Sequence, residues 1–472
     1  MAGSPSAAGE LAAAPPPRLT GRLERGGKSA RATVCAASRV SLWAAFQEAP
    51  PAHGEVFERL LVDLEGRSAE LTRCRYHQEA APPGFAGRLV FLDDVYDCRA
   101  LVWESRLVNL RAFLDNVPLV LAQKEGIHAE FKEFVAGTLY DLGVFKRFFD
   151  EQDRLLQGEP PEVAAEAHAS LIRTEGRRFM RHLAAADAEL EALVKDYTKE
   201  EHERHGFYLR RAAWPFILGS EIHKRTNLKP RGYAGDAEMM RLIYENAYVG
   251  RYVFNQLLHK HAVEMPGAEA VRLRRVYVSR AIRELRSRFP DAAPFRFLSV
   301  AAGPACELRD VITTAEEARV TECVLLDQDV EALDVARDEV ARIEATLGAP
   351  LRVQLVADSV RTMLRTRDLA ARLGTHHLVY SMGLFDYLTP PVARAVLARC
   401  FELILPGGSL LVGNFHVSNP SRVCMDYWLD WPLFLRTEAS MLALADGLPG
   451  ARASVTLDEI GCQLFLRVEK LP

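Results

Sequence analysis

The stretch FLSVAAGPACE at residues 297–307 decides the fold of the C-terminal half of this chain. An apolar run, Phe297, Leu298 and Val300, ends abruptly in Ala301, Ala302, Gly303, Pro304 and Ala305, and a helical stretch follows. A buried parallel strand hands over to a helix through a tight turn in this way. Small residues there let a ligand lie against the backbone, and the helix behind the turn offers free N–H groups. About 24 residues on, VLLDQD at 324–329 reads as a second strand ending in carboxylates. An acid at that distance suits a two-oxygen hydrogen bond to a ribose diol.

The rest of this half repeats the alternation. A third strand at 351–356 ends in Ala357, Asp358 and Ser359. A fourth at 377–381 runs into Met382, Gly383, Leu384, Phe385, Asp386, Tyr387 and Leu388. A helix with Val392, Val396, Leu397 and Phe401 follows, then a Pro406-Gly407-Gly408 turn and a fifth strand at 409–414. Segments 453–456 and 463–468 read as an antiparallel pair at a sheet edge. Strand–helix alternation implies an α/β fold with a parallel sheet and ligands at the carboxyl ends of its strands.

This succession resembles the class I S-adenosylmethionine (SAM)-dependent methyltransferases over residues 295–470. The likeness lies in the order: small-residue turn, acid after strand two, Asp after strand three, LFDYL after strand four, LPGG before strand five. It implies a Rossmann-like sheet and SAM as cofactor. Asp327 would hold the ribose hydroxyls, with Asp329 as its rival. Asp358 would take the adenine amino group, and the turn with Ala301, Gly303 and Ala305 the methionine end. Ser359 and Met382 complete the expected cofactor set. The chain departs from the pattern in keeping only Gly303 of the glycines and in having Ser299 at the first-strand acid position. The alternative is that Asp327 and Asp329 merely end a strand and start a helix.

Length and composition bound the remainder. A chain of 472 residues is too long for one core. The formal net charge of −4 calls for no nucleic acid partner. No apolar run reaches the roughly 18 residues of a membrane span. The start, MAGSPSAAGELAAAPPPRL, lacks the basic and apolar regions of a signal peptide and reads as a flexible tail over 1–17. The eight cysteines form no C-x-x-C pair, as expected of reduced thiols in a cytoplasmic protein. His202 and His205 have helical metal-ligand spacing, but no third ligand is evident, so no metal is expected and a solvated helix face is preferred.

Two further regions precede the methyltransferase-like domain at 289–472. Residues 18–101 are strand-rich, with strands at 32–37, 55–64, 68–76 and 87–91, and suit a small β-barrel or sandwich. This region faintly resembles a PilZ domain, the bacterial receptor module for cyclic di-GMP. Arg18 and Arg22 match its R-x-x-x-R arm, whereas the second motif falls on AASRVS at 36–41 and lacks its acid or amide and its glycine. A degenerate, structural domain without micromolar cyclic di-GMP binding is expected. Residues 102–288 are helical: Phe131, Phe134, Val135, Leu139, Leu142, Phe145 and Phe149 form an apolar stripe. These helices pair as hairpins or mediate a homodimer, and form a lid or dimerisation region.

One loop interrupts the helices. NLKPRGYAGDAEMM at 227–240 combines glycines, a proline, an aromatic and both charges. Asp236 reads as an N-cap with Glu238 in the first turn. The stretch PRGYAGDAEMMRLIYEN at 230–246, together with GNFHVSNPSR at 413–422, resembles a bacterial group associated with methyl esters of 3-hydroxy fatty acids. That resemblance implies O-methylation of a small hydrophobic carboxylic acid, with Arg231 and Tyr233 in a lid over the pocket. A carboxylate is already ionised near neutral pH and needs no base. It needs orientation, which can supply up to about 7–11 kcal/mol. Arg231, Arg422 and Arg436 are the candidate cations, and Phe385, Tyr387, Phe415, Tyr427 and Trp428 the candidate walls for an apolar tail. A hydroxyl or amine acceptor would need a base, for which His416 and Asp386 are available. A third reading is a SAM-sensing regulator with a nucleotide-binding N-terminal domain.

Overall fold

The computed structural model describes residues 19–37, 41–64, 67–93, 98 and 124–472. The expected tail, Arg18, residues 38–40 of the second PilZ-like motif, and 102–123 of the expected helical region lie outside the described residues. Two compact units divide the chain, Met1–Gly126 and Ile127–Pro472.

In the first unit, eight strands form one antiparallel sheet: β1 (Leu19–Arg25), β2 (Lys28–Ala36), β3 (Ser41–Phe46), β4 (Val56–Phe57), β5 (Arg59–Leu64), β6 (Arg67–Leu71), β7 (Cys74–His77) and β8 (Gly87–Phe91). Their order is β4-β7-β8-β3-β2-β1-β5-β6. Alternate residues of each strand share a face. Leu23, Val34, Leu42, Leu60, Val62, Tyr76 and Leu89 accordingly meet in one apolar cluster. Two segments expected as single strands are broken. The chain changes neighbours within each: β4 pairs with β7, while β5 pairs with β1 and β6. Arg22, expected in an arm, instead sits within β1 opposite Arg31 and Leu61, and its guanidinium meets Glu24 at 3.2 Å.

The second unit begins with helices α1 (Ala129–Leu156), α2 (Pro161–Leu171), α3 (Arg177–Val194), α4 (Lys199–Ile217), α5 (Glu221–Leu228), α6 (Ala237–Glu245), α7 (Val253–Glu264) and α8 (Pro266–Arg288). The stripe of α1 buries Phe131, Phe134, Val135, Leu142 and Phe149 against Phe179 and Leu183 of α3, Leu209 and Ile217 of α4, and Phe254 of α7. Thr198 and Glu201 form a reciprocal capping box that starts α4. Among the described residues no helix is long and apolar enough to cross a membrane.

A seven-stranded sheet follows: β9 (Phe295–Val300), β10 (Thr321–Asp327), β11 (Arg352–Ala357), β12 (His376–Ser381), β13 (Ile404–Phe415), β14 (Ala451–Leu457) and β15 (Gln463–Lys470). The order is β11-β10-β9-β12-β13-β15-β14. The first five are parallel, and β15 runs antiparallel to both neighbours. Its helices are α9 (Leu308–Val311), α10 (Ala315–Arg319), α11 (Val330–Leu347), α12 (Val360–Arg365), α13 (Leu369–Leu373), α14 (Pro390–Glu402), α15 (Arg422–Tyr427) and α16 (Glu438–Leu442). On one face Leu298, Val300, Val324 and Val379 pack with Met363 of α12, Leu369 of α13 and Val396 of α14. On the other, Phe297, Leu325 and Tyr380 pack with Ile282 of α8 and Ala336 of α11. The last helix of the region read as helical is thus a layer of the sheet domain.

The Pro406-Gly407-Gly408 turn is replaced by a bulge inside β13: His376 pairs with Ile404, but Leu378 already pairs with Ser409. Gly407 has φ 76°. A Cβ on Gly408 would lie 2.6 Å from the His377 carbonyl oxygen, so the bulge closes only with glycine there.

Candidate functional site

Strand order reverses direction between β9 and β12, and in open α/β sheets the crevice outside the carboxyl ends at such a point takes the ligand. A cavity of about 430 Å³ lies there, walled by the ends of β9, β10 and β12, by α6 and α8, and by the loop before α6.

The turn after β9 keeps a glycine-like backbone with a single glycine. Ala301, Gly303 and Ala305 have φ of 56°, 56° and 48°. The left-handed conformation costs alanine about 1–2 kcal/mol. Ala301→Gly is therefore expected to raise stability by about 1 kcal/mol, after the added chain freedom of glycine in the unfolded state is subtracted. A melting temperature at or below that of the parent would contradict this strain.

Asp327 ends β10 and is buried. Its Oδ2 accepts the Gly303 N–H at 2.8 Å and its Oδ1 the Asp329 N–H at 2.9 Å. Burial pushes its carboxyl above the usual range, against those two hydrogen bonds. Asp358 is joined to the same corner through its N–H, which donates to the Asp327 carbonyl oxygen at 2.9 Å. Burial opposes its ionisation, but Thr362, the Ser359 N–H and the Arg372 guanidinium hold its carboxyl below the usual range.

The loop before α6 closes the cavity over this corner. Arg231 donates from Nη1 to Asp329 Oδ2 at 2.7 Å and also pairs with Glu331, tying the loop to the start of α11. Tyr233 lines the cavity, and burial, with Asp327 and Asp329 nearby, pushes its phenol up, so it is a neutral donor. Asp236 is fully buried and caps α6. A Cβ on Gly235 would lie 2.5 Å from the Tyr387 hydroxyl and 2.9 Å from the Trp431 ring. Those two side chains are themselves bonded, Trp431 Nε1 to Tyr387 Oη at 2.7 Å.

Of the eleven residues expected to hold the cofactor, form the lid or, as His416, act as base, seven, Ala301, Gly303, Asp327, Asp358, Met382, Arg231 and Tyr233, line this one cavity, as do Asp386, Tyr387 and Phe415. Four do not. Ala305 is fully buried beneath the turn. Ser359 caps α12. Asp329 caps α11 and binds Arg231. His416, expected as a base, has its Nδ1 at 2.5 Å from Ser418 Oγ and its Nε2 at 3.1 Å from Glu438 Oε2, and does not line this cavity.

The cations expected to meet a carboxylate are occupied too. Arg231 is held as above, and Arg436 is buried on the carbonyls of Phe385 and Leu388 at 2.8 and 2.7 Å. Arg422 is half-exposed beside Asp426 at 3.7 Å. Of the expected aromatic walls, Tyr387 and Phe415 line the cavity. Phe385 lies in the sheet core, and Tyr427 and Trp428 lie in the helical core. His205 faces inward, not to solvent. It is fully buried, its Nε2 accepting the His128 N–H at 3.1 Å and its Nδ1 lying 2.8 Å from the Glu201 carbonyl oxygen. Among the described residues no group of three or more His, Cys, Asp or Glu is placed to hold a metal ion.

Sequence reasoning missed the wall supplied by α6 and α8: Met240, Tyr244, Val271 and Arg274. It also left Asp386 as one of two bases, whereas only Asp386 reaches the cavity. Asp386 accepts the Phe415 N–H at 2.7 Å, and burial pushes its carboxyl up to about 6.

No family model matches the chain, and no curated protein matches it. Among solved structures, a possible exported protein from Bordetella parapertussis is 18% identical, covering 67% of this chain and 100% of its own, with a TM-score of 0.39. Magnesium protoporphyrin IX methyltransferase from Synechocystis PCC 6803 with bound SAM is 12% identical, with 43% and 84% covered and a TM-score of 0.30. The SAM-dependent methyltransferase SibL in its apo form is 17% identical, with 76% and 99% covered and a TM-score of 0.32. Likeness at these levels decides nothing about activity.

Proposed function

We propose that this chain is a SAM-dependent methyltransferase that O-methylates the carboxylate of a small hydrophobic acid of the hydroxy fatty acid class. The observation that carries the reading is one cavity lined by two unlike groups of residues. One is the 301–303 turn with Asp327 and Asp358, joined by hydrogen bonds; the other is Met240, Tyr244, Phe415, Trp431 and Leu433, which share an apolar cluster. Its volume is in the usual range of small-molecule sites. The donor set suits SAM: Asp327 keeps lone pairs for a ribose diol beyond its two backbone bonds, and Asp358 is an ionised acceptor for an adenine amino group. When bound, the cofactor supplies an activated methyl group.

The chain's own residues then have three tasks. The apolar wall strips water from the acceptor, the loop with Arg231 and Tyr233 closes over it, and the turn fixes the donor. A carboxylate acceptor asks for no base, which agrees with His416 being committed elsewhere. A second reading, transfer to a hydroxyl or amine, is favoured by Asp386, a buried carboxyl at the cavity wall that could take a proton near pH 6.

Incubation with methyl-labelled SAM and an acidic lipid extract, followed by mass spectrometry, separates these. Labelled products that release methanol in mild alkali are expected. Alkali-stable label would favour the hydroxyl or amine reading, and no transfer despite SAM binding would leave a sensor.

The lid is tested in the same assay. Arg231→Ala and Tyr233→Phe are expected to lower turnover by about tenfold or more with SAM affinity and melting temperature little changed. Parental turnover in both, or losses that merely follow the melting temperature, would reduce the loop to a structural connection.

A further inference from the structure

Arg274 stands on α8 at the cavity wall and is 7% exposed. Among the described residues its one hydrogen bond runs from Nη2 to Met240 Sδ at 3.3 Å, a weak acceptor. No Asp or Glu oxygen of the described residues lies within 4.0 Å of its guanidinium. Neighbours on the same helix are provided for. Arg275 forms a fork with both oxygens of Asp310 at 2.7 Å, and Arg272 donates to the carbonyls of Val263 and Ile243 at 2.7 and 3.2 Å.

A buried cation without a partner is costly and persists where something else compensates it. The groups facing it are Met240, Tyr244 and, further across the same cavity, Asp386 and Tyr387. Asp386 feels the Arg274 charge, but its oxygens lie beyond 4.0 Å, so it makes no hydrogen bond to the guanidinium. Four of the five N–H donors of a planar fork therefore remain for a ligand, and a carboxylate matches that fork.

We propose that Arg274 is the carboxylate-binding residue of this cavity. The inference rests on the methyltransferase reading, which brings two carboxylates to the site: that of the cofactor's amino-acid end and that of the acceptor.

Calorimetric titration of the full chain distinguishes them, with three probes: S-adenosylhomocysteine, 5′-methylthioadenosine, which lacks the amino-acid end, and decanoate at saturating S-adenosylhomocysteine. The variants are Arg274→Gln and, keeping the charge, Arg274→Lys. If the cofactor's carboxylate sits on Arg274, Arg274→Gln weakens S-adenosylhomocysteine by about tenfold or more and leaves 5′-methylthioadenosine unchanged. If the acceptor's carboxylate sits there, only decanoate weakens, by a similar factor. Arg274→Lys falls between the parent and Arg274→Gln in either case, and supplies the reading alone should Arg274→Gln fail to fold. Unchanged affinity for all three probes in a folded variant overturns the proposal, as does equal weakening of S-adenosylhomocysteine and 5′-methylthioadenosine. A parent protein that binds neither nucleoside overturns the methyltransferase reading, and the role of Arg274 falls with it.

Discussion

Asp236→Ala is expected to destabilise the second unit by about 3–5 kcal/mol, the cost of breaking a buried ion pair from one side. Asp236 is fully buried and receives Arg225 of α5 at both carboxylate oxygens, from Nε at 2.7 and 2.9 Å. Its Oδ1 also accepts the Met239 N–H at 2.9 Å and so starts α6. Alanine removes the cap, itself about 1 kcal/mol, and leaves the mostly buried Arg225 without its counter-ion. Asp236→Asn keeps an acceptor for the cap and is expected to lose less. Because α6 carries Met240 into the cavity wall, the alanine variant is also expected to lose turnover. Chemical denaturation measures the first effect, and a loss below about 1 kcal/mol would mean that Arg225 finds water or another partner.

Asp327→Ala carries the largest expected effect on binding. Loss of hydrogen bonds to a charged group costs about 1–3 kcal/mol, so SAM affinity is expected to fall by roughly 5- to 150-fold. The carboxylate also holds the Gly303 and Asp329 amides, so the turn is expected to loosen as well. Asp329→Ala serves as the contrast. Its carboxylate is bound to Arg231 and to the Glu331 N–H, so that variant should disturb the lid more than the cofactor. Unchanged SAM affinity in Asp327→Ala by calorimetry would remove Asp327 from the ribose role.

The sheet was legible because its signals are local. Apolar runs such as Phe297, Leu298 and Val300 end in small residues or acids, and those residues follow the strands' carboxyl ends in the fold. Asp327, Asp358 and Gly303 could be named for that reason. Pro406-Gly407-Gly408 was misread because the same residues that make a turn also make a bulge, and only strand pairing separates the two. For His416 the residue pattern indicated a strand end near the site but not its partners, Ser418 and Glu438. Arg274 was illegible. In the run VRLRRVY at 271–277 it looks like one more solvated cation, and only the packing of α8 against α6, with Met240 beside the guanidinium, shows it to be buried. The N-terminal strands β1 and β3 fall within the region read as strand-rich, though only other segments of it were given bounds.

If the cavity at the carboxyl ends of β9, β10 and β12 holds the methyl donor, a crystal structure of the full chain with S-adenosylhomocysteine will show it there. The nucleoside is expected in this cavity, with the ribose hydroxyls on the Asp327 carboxylate and the adenine amino group on Asp358. A ligand bound elsewhere, or a ribose held by Asp329 with Asp327 uninvolved, would contradict it.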